Sequence, residues 1–222
     1  MDDFVVYVIK PTFGRKKFLI DNKTFLSYYR YSLTDYKSRK EYIKYSFPIL
    51  TYNWLKPLAD FLKKYNYRTV DLCCGVGYIS FYLKKLGLKN IKAVDNFTWN
   101  DHWKRKPLKH VKKYNALKYV KYHKNYDAVI LSWPLYESRL AYNIARNLKL
   151  NTILIYIGEG YGGCTGDNNF HEYLHKNFKL LEDITNNLQD NFLNFDGMHD
   201  NIYIYEKISQ KEIPKNKESK NF

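Results

Sequence analysis

The chain's 222 residues suffice for one domain with a sizeable core and are marginal for two. Hydrophobic residues make up 45% and charged residues 27%, the balance of an ordinary globular protein, and no apolar run reaches the roughly 18 residues of a membrane span, which argues against a membrane partner. Asp2 and Asp3 stand where a signal peptide would be basic, and Cys73, Cys74 and Cys164 fit neither a disulfide framework nor a zinc knuckle, so an intracellular, cytoplasmic setting is expected.

In chain order, residues 4–9 are β-branched and alternate weakly, which predicts a short strand. Residues 22–66 are aromatic and basic. Phe25, Tyr28, Tyr29 and Leu33 have helical spacing, and a second helical pattern follows Pro48 through Trp54, Leu55, Leu58, Phe61 and Leu62. Residues 1–66 are therefore expected to form an N-terminal cap or lid packed on the domain that follows. From Tyr67 the pattern turns regular, with strands predicted at 69–73, 91–94, 111–114, 128–133, 152–157, 179–184 and 201–205. Helical stretches such as 78–86 and 141–148 separate the early ones. Strand alternating with helix predicts a doubly wound, mainly parallel seven-stranded α/β sheet, with the last two strands as an antiparallel pair at one edge. Residues 207–222 are Lys-rich with few apolar anchors and read as a basic, disordered tail, leaving 67–206 as the domain.

The net charge of +15 is uneven. Residues 99–125 carry nine Lys/Arg against one acid, whereas 126–206 carry five against eleven. The basic stretches either steer phosphate-bearing partners or reflect a composition rich in Lys, Asn, Ile and Tyr.

The run Asp71-Leu72-Cys73-Cys74-Gly75-Val76-Gly77 ends one strand and feeds a helix, and Asp95 closes the next strand. Glycines in such a turn let a ligand approach the main chain, and a carboxylate at the second strand end can accept both hydroxyls of a ribose. A dinucleotide site would carry a third glycine where Ser80 stands, and would not need the acid at Asp71. With these residues the chain resembles class I S-adenosylmethionine-dependent methyltransferases over about 67–206, Asp71–Gly77 corresponding to their first motif and Asp95 to their second. The resemblance implies a Rossmann-like fold and S-adenosyl-L-methionine as cofactor, held by Asp71, Cys73, Gly75, Gly77, Asp95 and Asn96. It also implies an adenine contact from Asn115 and Ala116, where the family more often has an acid, and a contact from Ser132. Phe97 and Trp99 either flank the adenine or simply pack.

Ser132-Trp133-Pro134-Leu135-Tyr136 resembles a distorted form of the motif with which adenine-methylating enzymes grip an amine, Trp133 standing in the gripping position. The segment 157–167 holds five glycines and Glu159. It reads either as a tight crossover capped by Thr165 or Asp167, or as a wall of the acceptor pocket. His171 and His175 are four apart, with Asp167 a turn earlier, but lack a third strong ligand, so no metal is expected. His199, in the turn before the last strand, is the candidate general base, with Tyr136 and Asp167 as further candidate catalytic residues. The expected activity is methyl transfer to a hydroxyl or amine of a small molecule, such as a sugar or nucleotide-sugar. The alternative is methylation of nucleic acid, at an mRNA cap or adenine N6. A non-catalytic module is disfavoured by the intact Asp71, Gly75, Gly77 and Asp95 set.

Overall fold

The computed structural model describes residues 19–29, 34, 39–40, 42–98 and 106–211. The strand predicted at 4–9, Leu33, Trp99 and most of the tail lie outside these residues. The described strands are β1 (Thr69–Leu72), β2 (Ile91–Asp95), β3 (Val111–Lys113), β4 (Ala128–Ser132), β5 (Ile153–Gly158), β6 (Phe178–Leu180) and β7 (Asn201–Lys207). They form a single sheet in the order β3-β2-β1-β4-β5-β7-β6. The first five are parallel, β7 runs antiparallel to β5, and β6 antiparallel to β7. Every residue of β1 and β5 is buried, as strands covered on both faces require.

Two helical layers supply that cover. On one face, α2 (Tyr52–Lys64), α3 (Tyr78–Lys85) and α7 (Glu182–Gln189) bring Trp54, Leu55, Leu58, Leu83 and Leu188 against Ile130, Ile155 and Ile204. On the other, α4 (Ala116–Tyr122), α5 (Leu140–Asn147) and α6 (Asn168–Asn177) bring Val120, Ile144, Phe170 and Tyr173 against Val70, Val129 and Leu154. Each such aliphatic or aromatic side chain contributes about 1.5–3 kcal/mol by leaving water. The result is the Rossmann-like α/β fold expected. The chain winds outward to β3 on one side of β1 and to β4 and β5 on the other, so a crevice opens at the strands' C-terminal ends between β1 and β4.

Three boundaries differ from the expected ones. The stretch 1–66 is not wholly a cap: α1 (Asn22–Tyr29) lies outside the sheet layers, but α2 is a full member of one layer, with Trp54, Leu55, Leu58 and Leu62 completely buried. The strand expected at 179–184 ends at Leu180, because Glu182 and Asp183 open α7, where acids complement a helix N-terminus. The tail does not start at Lys207. That residue ends β7, is fully buried, and donates from Nζ to the carbonyls of Ala145, Arg146 and Leu148 at 2.9, 3.0 and 2.8 Å. It thereby gathers carbonyls at the C-terminal end of α5, where a cation also complements the helix dipole. No described helix is long and apolar enough to cross a membrane.

Candidate active site

The crevice holds a cavity of about 520 Å3, within the range of small-ligand sites. Its floor is the turn after β1. Cys73 and Gly75 adopt left-handed backbone (φ +52° and +57°), and Gly77 (φ +93°) precedes α3. The two glycines answer different demands. A Cβ on Gly75 would meet no atom within 4 Å, so its bare backbone faces the open cavity. A Cβ on Gly77 would stand 2.4 Å from Val111 Cγ2, so that glycine serves the packing of β3.

Asp95, buried at the end of β2, accepts the Gly75 amide on Oδ2 at 2.9 Å and the Phe97 amide on Oδ1 at 2.8 Å. A carboxylate has about four acceptor positions, so the side chain that fastens the glycine turn can also receive ribose hydroxyls. Asn96 lines the cavity and takes the Thr98 amide and hydroxyl on its Oδ1 at 3.1 and 2.8 Å. If the cavity takes the cofactor that the sequence resemblance implies, replacing Asp95 by Ala is expected to weaken S-adenosylhomocysteine binding by about 1.5–3 kcal/mol, the scale of hydrogen bonds to a charged group. Calorimetric titration of the folded variant checks this.

Asp71 is 1% exposed in mid-β1 and borders the cavity. Neither carboxylate oxygen makes a hydrogen bond among the described residues. The Ser80 hydroxyl and amide lie near enough to favour the anion, but their geometry falls short of a bond, and Ser80 Oγ instead donates to the Gly77 carbonyl at 3.0 Å. Burial pushes the Asp71 carboxyl up to about 7. A buried carboxylate without a partner is costly, and is rare outside sites that supply the partner as a ligand. Burial also pushes the Cys73 thiol up to about 12 and raises that of Cys74, so both stay protonated and neither is a nucleophile at neutral pH.

The opposite wall comes from Ser132, Trp133, Pro134 and Leu135 after β4. Trp133 has φ +52° and stacks on Phe47, with ring centroids 4.6 Å apart and planes 9° apart. Ile43, Tyr45, Ser46, Phe47 and Pro48 roof the cavity. This roof is the part of the N-terminal segment that acts as a cap, and no local sequence pattern singled out its residues.

Of the expected cofactor residues, Asp71, Cys73, Gly75, Asp95, Asn96 and Ser132 line the cavity, while Gly77, Asn115 and Ala116 do not. Asn115 caps α4, its Oδ1 accepting the Lys118 amide at 2.9 Å, and Ala116 is buried as the first residue of that helix. None of the three expected catalytic residues lines the cavity. Tyr136 is 42% exposed. Asp167 is committed to capping α6, where it accepts from the Phe170 amide at 3.0 Å and the Asn169 side-chain amide at 3.2 Å. His199 is exposed in its turn.

The glycine-rich segment is a self-fastened buttress. Tyr156 Oη and Thr165 Oγ1 are 2.7 Å apart, and the Glu159 amide donates to Thr165 Oγ1 at 2.7 Å. The Cys164 amide donates to Glu159 Oε2. The Gly166 amide donates to the Pro134 carbonyl at 2.8 Å, so the buttress braces the Trp133–Leu135 wall from behind. Cβ atoms on Gly163 and Gly166 would stand 2.4 and 2.5 Å from Glu159 Cβ and Phe170 Cδ1. Those glycines therefore serve the segment's own close packing.

No known family matches the chain, and no curated protein matches it by sequence. Solved structures with similar folds include the N-methyltransferase NodS of Bradyrhizobium japonicum, 12% identical over 69% of this chain and 94% of that one, with a TM-score of 0.42. The methyltransferase domain of a bacterial Hen1 is 17% identical over 71% and 98%, with a TM-score of 0.42. The cyclase SpnF is 14% identical over 69% and 80%, with a TM-score of 0.44. At these identities the likeness concerns the fold.

Proposed function

We propose that this chain binds S-adenosyl-L-methionine in the cavity between β1 and β4 and transfers its methyl group to a polar small molecule, at an amine or a hydroxyl. The observation that carries this reading is Asp71, a carboxylate buried at the cavity floor with no hydrogen bond to either oxygen among the described residues. The α-ammonium of the cofactor is a fitting partner for it, whereas the pyrophosphate of a dinucleotide would be repelled. Asp95 at the next strand end fits the ribose hydroxyls, and Gly75 leaves room for close approach. The cofactor supplies a methyl group already activated on a sulfonium. The protein's part is to align the acceptor and exclude water, which the Phe47–Trp133 stack and the 43–48 roof are placed to do.

The nucleic-acid alternative draws support from the basic stretch. Of its described lysines, Lys112 and Lys113 sit exposed on β3, at the sheet edge away from β4 and β5, and Lys118 and Lys121 sit exposed on α4. A small acceptor therefore fits the site better. Calorimetric titration with S-adenosylhomocysteine and NAD tests the reading: the former is expected to bind at micromolar concentrations or below and the latter not at all. Binding of NAD without S-adenosylhomocysteine would overturn it.

A further inference from the structure

The antiparallel sense of β7 gathers three residues that lie far apart in the chain. Ser132 pairs with Ile157 across β4 and β5, and Gly158 with Asn201 across β5 and β7. Trp133 follows Ser132 and so stands level with Gly158 and Asn201, while Glu159 and Asp200 stand together one step beyond, at the same end of the sheet. Neighbouring strands are about 4.8 Å apart. Trp133 lies on the cavity wall, and its amide donates to the Ile157 carbonyl at 2.8 Å.

Asp200 is 6% exposed and Glu159 7%. Asp200 Oδ1 and Trp133 Nε1 are both buried without a hydrogen bond among the described residues, although the indole lies near enough to the carboxylate to favour its anion. The groups acting on Asp200 are Glu159, which disfavours its charge, and Arg39 and His199, which favour it. No described Lys or Arg forms an ion pair with either carboxylate. Two buried carboxylates beside an aromatic stack, one with an oxygen lacking a partner, form a receptor for a cation. Carboxylates supply the charge and the N–H acceptors, and aromatic faces add attraction for an ammonium.

We propose that Asp200, with Glu159 behind it and the Phe47–Trp133 stack beside it, is the acceptor subsite, and that the acceptor is a small amine that arrives as its ammonium. The proposal rests on the methyltransferase reading above and replaces His199 with Asp200 as the group that handles the acceptor's protons; Asp200 is not itself among the residues lining the cavity but is buried against the Trp133 wall. An ammonium has no lone pair, so before it reacts it loses one proton to bulk water, which leaves Asp200 ionised. Asp200 then takes the second proton, which leaves the nitrogen as its lone pair forms the bond to the methyl carbon and the carbon–sulfur bonding pair returns to sulfur. The products are the methylated amine and the thioether.

Thermal unfolding and calorimetry of the full chain test this at pH 7.5, with and without saturating S-adenosylhomocysteine. The probes are n-butylamine hydrochloride and n-butanol at millimolar concentration, with sodium chloride matched to the amine salt. The amine is expected to raise the unfolding midpoint of the wild-type protein and n-butanol to leave it unchanged. Asp200→Asn is expected to bind the amine at least fivefold more weakly while keeping S-adenosylhomocysteine affinity within twofold. Glu159→Gln should show the same pattern in smaller degree, which covers the case of an unfolded Asp200 variant. Equal shifts from amine and alcohol, no amine shift, or an undiminished amine shift in both variants would overturn the subsite. Absence of an S-adenosylhomocysteine shift in the wild type would instead overturn the cofactor reading, and the amine arm without it still reports on Asp200.

Discussion

Asp71→Asn is expected to weaken S-adenosylhomocysteine binding by about 3 kcal/mol or more, over a hundredfold, because it removes one member of a buried charge pair. The same substitution should change how the stability of the ligand-free protein depends on pH. In the folded chain Asp71 is raised to about 7 by burial, against an ordinary aspartate value near 3.8. The folded state therefore holds the proton more tightly than the unfolded state. Its advantage is complete below the unfolded value and is lost as pH rises through the folded one, on the order of 4 kcal/mol in all. Asn neither gains nor loses that proton, so the variant's stability should fall less between pH 4 and 8. Ligand binding has the opposite trend, since the ammonium needs the anion, and wild-type affinity should rise between pH 6 and 8. Denaturant titrations and calorimetry across this range measure both. A wild-type affinity independent of pH, or an Asn variant that binds normally, would remove Asp71 from the site.

Gly77→Ala is expected to cost on the order of 3 kcal/mol of stability, a large part of the roughly 5–15 kcal/mol that holds a domain folded. Two effects combine. A left-handed conformation costs a residue with a Cβ about 1–2 kcal/mol, and the new methyl would overlap Val111, an overpacking effect of about 1–3 kcal/mol. Gly75→Ala should separate from it. Its φ is also positive, but its Cβ meets open space, so stability should fall by about 1–2 kcal/mol while cofactor affinity drops because the methyl enters the cavity. Thermal midpoints and binding constants of the two variants should therefore rank in opposite orders. Combining Gly77→Ala with Val111→Ala should recover part of the loss, a coupling that identifies the clash.

The parts of this site legible in the sequence are those encoded within one strand end. Asp71, Gly75, Asp95 and Ser132 each close or follow an apolar run, and in a parallel sheet such ends converge at one crevice. Asn115 and Asp167 have polar side chains at equally suggestive turns, but both accept an amide three residues on and cap the helix that follows. Local sequence cannot distinguish a cap from a ligand contact when the same oxygen suits both. Phe47 was illegible for a different reason. Its role comes from stacking on Trp133, eighty-six positions later, and no periodicity within either segment announces that contact. Asp200 shares its turn with His199, and nothing in the local sequence distinguishes the carboxylate that becomes buried from the imidazole that stays exposed.

The reversed β7 also divides the molecule by chain position. The groups matched to the cofactor occur between Asp71 and Ser132, and those assigned to the acceptor, Phe47 and Trp133 apart, between Glu159 and Asp200. A recombination joint placed in the exposed segment between Leu135 and Glu137 would exchange one set and leave the other intact. Such a chimera would inherit its methyl-donor grip from one parent and most of its acceptor preference from the other. Retargeting this scaffold can then proceed by exchanging the C-terminal third, without rebuilding the nucleotide-binding turn.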